Sequence, residues 1–291
     1  MARLPGNLPL ISHQGQQLQS LAAINRLPER EKEQIYAELL PQRLCELLQL
    51  KRQQLSNAAG EQLVQVIAPA GLSFVRLEVR NHPEDHDLIF FAELSDTQFH
   101  QMELAFCIIC DPSAPRFAVD VTEDGAVNYF TSHGRNIPEE LRAMAAGLFP
   151  NQTRRGLRLF GEFFTLLERF TDSLGMEIIV AEPLTYDNAI RYERYGFDYL
   201  TGRRLMHKID REFQPGGKLY CRLDGSSPFR MPGMERTVRG RSWAIHDGIM
   251  DEPWDGVQIY KIIGTEAGLD SFPDRQLEEH RDGDLHCTNS P

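Results

Sequence analysis

The pattern of apolar and polar positions divides the chain into helical and extended stretches. Between residues 16 and 56 apolar residues recur at helical spacing, and Pro28 and Pro41 interrupt the pattern, which predicts two or three helices. From Leu63 to residue 130 short apolar or alternating runs are separated by turn sequences. This arrangement predicts an antiparallel meander of five or six strands.

The second half of the chain alternates helices and strands. Residues 156–174 give the most periodic helix, with phenylalanines on one broad face, and Gly175 ends it. Because this alternation follows an antiparallel half, we expect an α+β fold with a mixed sheet and right-handed crossovers. The other elements predicted here are a helix at 138–148, a strand at 177–183, a helix beginning at an Asp187 N-cap and a strand at 197–200.

The C-terminal part is less regular. Short apolar runs separated by Gly- and Pro-containing turns predict a small β-rich extension. The sequence after Thr265 contains seven carboxylate residues and two arginines, and this acidic tail is expected to add nothing to the core. The predicted domain organisation is an N-terminal helical segment at 1–60, a main domain at 61–204, the extension at 205–264 and the tail at 265–291.

Composition and charge narrow the classes of function. The 291 residues are 41% hydrophobic, which is enough for a folded core, and the formal net charge of -11 argues against nucleic-acid binding. A cationic or neutral small substrate fits this balance better. We find neither a basic leader followed by an apolar run nor an apolar run long enough to span a membrane, so a cytoplasmic location is expected.

The stretch DNAIRYERYGF at residues 187–197 carries a specific motif. It contains Asn188, then Ala-Ile, then Tyr192-Glu-Arg, and closes on Gly-Phe. Together with the preceding antiparallel strands, cationic turn, long helix and buried strand, it resembles the GNAT superfamily of acyl-CoA N-acyltransferases over about residues 85–202. Counted back from Gly196, Tyr192 takes the place of the family's tyrosine, although the spacing from Ala-Ile is one residue shorter.

The resemblance implies an acyl transfer in which Tyr192 protonates the departing thiolate. An amine attacks a thioester, a tetrahedral oxyanion forms, and a nearby proton donor assists the leaving sulfur. The alternative is that Tyr192 only packs between helix and sheet.

The stretch NQTRRGLRLFG at residues 151–161 is the candidate donor-binding segment. A helix N-terminus can hold a diphosphate with free N–H groups, and arginines add charge. The resemblance therefore implies a site for acetyl-CoA or a longer acyl-CoA, and it assigns that site to Gln152, Arg154, Arg155, Gly156 and Asn188. The segment departs from the family's glycine pattern in either register. An acyl-carrier-protein donor is therefore open, as in the related acyl-homoserine-lactone and N-acyl amino acid synthases.

The base that accepts the amine proton is chosen by location. Glu103, Asp120 and His133 are the candidates, His133 because its ordinary pKa lies near neutral pH. For each of them a surface or turn position is the simpler explanation. The helix at 138–148, which is not typical of the family, either covers an acyl channel or is a packing insertion.

The sequence thus predicts an N-acyltransferase that moves an acyl group from a thioester to the amine of a small molecule, without a metal. The competing hypothesis is a GNAT-shaped binding or regulatory module without turnover. A metal-dependent hydrolase using His82 and His86 is a third possibility. The oligomeric state is left open.

Overall fold

A computed structural model describes residues 4–128 and 133–273. This part of the chain is mixed α+β and divides into two compact units. The first comprises residues up to 115, together with 154–182 and 260–266; the second comprises 116–153, 183–259 and the residues from 267 on. Both units are discontinuous in sequence, whereas the domains predicted from the sequence are contiguous. The predicted boundaries after residues 60, 204 and 264 therefore stay a prediction.

The first unit contains the predicted helical segment and the meander. Its helices and strands are α1 (Leu21–Ile24), α2 (Glu29–Ala37), α3 (Gln42–Leu47), β1 (Val64–Ile67), β2 (Phe74–Val79), β3 (Phe90–Asp96), β4 (Met102–Ile109), α5 (Phe160–Ser173) and β5 (Ile178–Ala181). The prolines act as expected, because Pro28 and Pro41 are the N-cap residues of α2 and α3.

The sheet of this unit is mixed, as predicted. Its strand order is β1-β2-β3-β4-β5, and β1 to β4 pair antiparallel. Strand β5 returns parallel to β4 through Met102↔Ile179 to Leu104↔Ala181. Helix α5 provides the buried aromatic face of that crossover: Phe163 is fully buried and meets Phe90 of β3 edge to face, with ring centroids 5.3 Å apart.

The second unit is mainly helical among its described residues. It contains α4 (Ile137–Ala145), α6 (Tyr186–Glu193), β6 (Asp198–Thr201), α7 (Arg203–Phe213), α8 (Lys218–Cys221) and α9 (Val238–His246), and β7 (Gln258–Ile262) crosses the boundary between the units. The prediction of a β-rich extension at 205–264 is therefore wrong. Met206, Ile209 and Phe213 are buried at helical spacing on α7, and only the run at β7 is extended.

Three other expectations are corrected. The meander has four strands in the described residues. The run at 116–121 is predicted as a strand but forms none, although its Phe117 and Val119 are buried. Residues 129 and 130 of the last predicted run lie outside the described part. The N-cap of α6 is Thr185, and Asp187 lies inside the helix. The acidic tail reaches the core, because Phe272 is only 1% exposed.

Candidate functional site

The predicted donor-binding residues of the first unit do not stand at a helix N-terminus. Helix α5 begins at Phe160, four residues after Gly156, because Arg158 takes a left-handed φ of 57° that interrupts the helix. The helix-based diphosphate site predicted at Arg154 to Gly156 is therefore wrong in its geometry. These residues form an irregular segment instead.

Arg154 is held inside the first unit by an acid. Its Nη2 atom lies 3.1 Å from Oδ2 of Asp87, and its Nη1 atom donates to the carbonyl of Ala114. The side chain of Arg154 is only 20% exposed. Its guanidinium is thus committed to the protein, and it fixes the segment to the strand connections instead of offering its charge to a ligand.

Arg155 and Gly156 lie against the end of β4. The carbonyl of Arg155 accepts a hydrogen bond from the N–H of Asp111 at 2.8 Å. A Cβ placed on Gly156 would lie 3.1 Å from the carbonyl oxygen of Ile109, so the absent side chain allows this close approach. The Arg155 side chain is exposed and stays available to an anion.

The parallel pairing of β4 with β5 covers only part of β4. Its parallel partners on the β5 side extend only over Met102–Leu104, and β5 itself ends at Ala181. A bulge separates the β3–β4 pairs at Glu93 and Leu94, and the residues of β4 from 105 to 109 are exposed or half-exposed. The parallel pairing therefore covers only the first part of β4, and Gly156 lies against the other end of the strand at Ile109.

Glu103 lies in the part of β4 that pairs with β5, one residue before the last pair at Leu104. It follows the buried Met102 and precedes the buried Leu104, so its side chain points to the opposite face of β4, where it is half-exposed. The hydroxyl of Ser95, its partner on β3, donates to Oε2 of Glu103 at 2.5 Å. The carboxylate is thus oriented by a neighbour and still open to solvent, as a base requires.

The other predicted site residues belong to the second unit. Tyr192 is half-exposed on α6, and its ring contacts Phe197 edge to face at 4.9 Å between centroids. Asn188 is half-exposed one turn earlier on the same helix, and Gln152 accepts from the N–H of Phe149 at 3.0 Å. His133 is exposed, with its N–H bonded to the carbonyl of Asn128. Asp120 is paired with Arg116 at 2.7 Å.

The short helix α4 is packed into the core of the second unit. Ala143 is fully buried and forms a cluster with Phe117, Val119 and Leu148. This contact is what the packing alternative predicts.

The structure also contains a buried charge network that sequence reasoning missed. The Nε atom of Arg135 lies 3.1 and 3.0 Å from the two carboxylate oxygens of Glu140, and its Nη1 atom lies 2.8 Å from Asp247. Glu140 also contacts Nε2 of His246 at 3.3 Å. Burial alone would raise the pKa of Glu140, but its hydrogen bonds to His246 and Arg135 reverse the effect and lower it.

No sequence signal marks this network, because its members come from α4, α9 and the residues flanking them. Arg230 bonds to Asp247 at 2.8 Å and completes it. With every acid paired, the arrangement is typical of a structural network.

The comparisons with known proteins give no relative. No family model matches the chain, and no significant match was found among curated proteins or among solved structures. Within residues 4–128 and 133–273 no helix is long and apolar enough to cross a membrane, and no group of three or more His, Cys, Asp or Glu side chains is placed to hold a metal ion.

Proposed function

We propose that this protein is a GNAT-like acyltransferase that moves an acyl group from a thioester to the amine of a small molecule. The observation that supports the proposal is that the parallel pairing of β4 with β5 stops at Leu104, while Gly156 approaches the other end of β4 at Ile109. A thioester donor is an extended chain with amide groups, and backbone groups near the point where two parallel strands separate can bind such a chain as they would an added strand.

The first unit supplies two roles in this proposal. Arg155 would bind the donor's phosphate, because its guanidinium is exposed whereas that of Arg154 is paired with Asp87. Glu103 would accept the proton of the attacking amine, since its carboxylate is oriented by Ser95 and half-exposed. The C–N bond forms when the amine attacks the thioester carbon, and the C–S bond breaks when the tetrahedral oxyanion collapses and releases the thiolate.

Residues of the second unit keep the roles implied by the sequence resemblance. Tyr192 would protonate the thiolate, and its phenol is half-exposed on α6. His133 remains the second candidate base, and Gln152 and Asn188 remain candidate donor-binding residues. Acetyl-CoA, a longer acyl-CoA and an acyl-carrier protein are all donors that this proposal admits.

The test is thiol release from a panel of acyl-CoAs and acyl-carrier proteins in the presence of small amines. We expect Tyr192→Phe and Glu103→Gln each to lower kcat by about a hundredfold or more. Arg155→Gln should raise the KM for the donor, whereas the matched control Arg30→Gln, an exposed arginine of α2, should not. Absence of thiol release with every donor, together with no thermal stabilisation by any of them, would overturn the proposal.

A binding or regulatory module without turnover is the second candidate. The ion pair of Arg154 with Asp87 and the late start of α5 favour it, because both remove elements of a helix-based diphosphate site. In a thermal-shift screen, no stabilisation by any thioester would favour the module, whereas stabilisation by CoA species would support catalysis.

A further inference from the structure

The first unit contains a concave pocket of about 410 Å³ that the proposed function does not use. The N-terminal segment at 7–13 and the helices α2 and α5 line it. The segment is tied to α5 by the N–H of Leu10, which donates to the carbonyl of Ser173 at 2.9 Å, and by the amide of Asn7, which donates to the carbonyl of Arg169 at 2.9 Å. The volume lies within the range of small-molecule sites.

The walls of the pocket are mostly apolar. An alkyl chain or a ring packed against them would be removed from water, which stabilises a complex by about 25 cal/mol for each Å² of apolar surface buried. The apolar lining residues are Leu10, Ile11, Ile35, Leu166 and Phe170.

One wall carries a carboxylate with a free oxygen. Glu31 is only 8% exposed, and its Oε1 atom accepts a hydrogen bond from the backbone N–H of His13 at 2.7 Å. Its Oε2 atom accepts no hydrogen bond in the described part of the chain, and Nδ1 of His13 lies 3.6 Å from it. The carboxylate is therefore fixed in place by one oxygen while the other can accept from a ligand.

The remaining charges favour a cation in this pocket. Glu38 also lines it and is paired only loosely with Arg52, at 3.8 Å. Arg169 lines the pocket from an exposed position on α5. Two carboxylates and one guanidinium give these side chains an excess of formal negative charge, which attracts an ammonium group and repels a carboxylate.

We infer that this pocket binds a small amphipathic amine, with the ammonium group on Oε2 of Glu31 and the apolar body against Phe170 and its neighbours. A charge-assisted bond of this kind is shorter and stronger than a neutral one, so the amine is preferred over an alcohol of the same shape. The inference does not depend on acyl transfer, because it concerns a separate set of residues.

The experiment is calorimetric titration of the full chain with octylamine, octanol and octanoate, without any thioester. We expect octylamine to bind about tenfold more tightly than octanol, and octanoate more weakly than both. Glu31→Gln should remove the preference for the amine while octanol still binds. The control Glu33→Gln, on the same helix but outside the pocket lining, should keep the preference.

A second variant keeps the inference testable if Glu31→Gln does not fold. Ile35→Trp, which fills the pocket from α2, should weaken binding of all three compounds. Equal affinity for amine and alcohol, survival of the amine preference in Glu31→Gln, or no binding of any compound would each overturn the inference. Turnover plays no part in these readouts, so failure of the acyltransferase proposal would leave them unchanged.

Discussion

Replacing Arg135 by methionine tests the buried charge network of the second unit. Glu140 is 1% exposed and Asp247 is 12% exposed at their side chains, and the guanidinium of Arg135 lies between them. The variant keeps the apolar stem and removes the charge. Both carboxylates would then lose a charge-assisted donor in a region largely closed to water.

The expected loss follows from what remains after the substitution. Removing one partner of a buried ion pair costs about 3–5 kcal/mol because the other charge is left uncompensated. Here His246 still faces Glu140 at 3.3 Å and Arg230 still bonds Asp247 at 2.8 Å. We therefore expect a loss in the free energy of unfolding of the second unit of about 2–4 kcal/mol, at or below the range for an unsupported pair.

Tryptophan fluorescence during urea unfolding measures this loss in the second unit. The chain has two tryptophans, Trp243 and Trp254, and both belong to the second unit. Trp243 is directly adjacent to the network, with its ring 5.6 Å from that of His246. The signal therefore reports the unit that carries the substitution.

A surface arginine of the same unit supplies the control. Arg236 pairs with Glu235 at 3.3 Å but is 80% exposed, so Arg236→Met should change stability by no more than about 0.5 kcal/mol. If Arg135→Met shifts the transition no more than Arg236→Met does, the network does not stabilise the second unit and the reasoning is refuted.

Three further substitutions test other features of the structure. At neutral pH the wild type should be more stable than Glu140→Gln. Because the folded protein lowers the pKa of Glu140, this advantage should be lost as the pH falls from the ordinary carboxyl pKa of 4.5 through the lowered pKa. An advantage that persists in acid would contradict the assignment. Gly240→Ala should destabilise α9 although helix propensity favours alanine by about 1 kcal/mol, because the new Cβ would lie 2.3 Å from the carbonyl of Met234; a higher thermal midpoint would disprove the clash. Tyr36→Phe should cost about 1–3 kcal/mol in chemical denaturation of the first unit, because the buried Tyr36 hydroxyl donates to Asn25 at 2.6 Å; an unchanged midpoint would count against that bond.

Local sequence patterns predicted the helices and strands whose periodicity is strong. The prolines before α2 and α3, the buried face of α5 and the run at β5 all lie where the pattern places them. The pattern failed in the C-terminal part, where short apolar runs are compatible with either a strand or a helix. In that part the chain forms the helices α7, α8 and α9, and burial of their apolar side chains in the core decides between helix and strand.

The candidate site depends more strongly on contacts that sequence does not contain. The amino-acid sequence alone supplied an arginine pair, a glycine and a tyrosine in a recognisable order. It could not indicate that Asp87, 67 residues earlier, pairs with Arg154, or that Gly156 lies against the end of β4 and not on a helix. Ion pairs and close backbone approaches between distant segments form only when the chain is folded, so they were decided by tertiary structure.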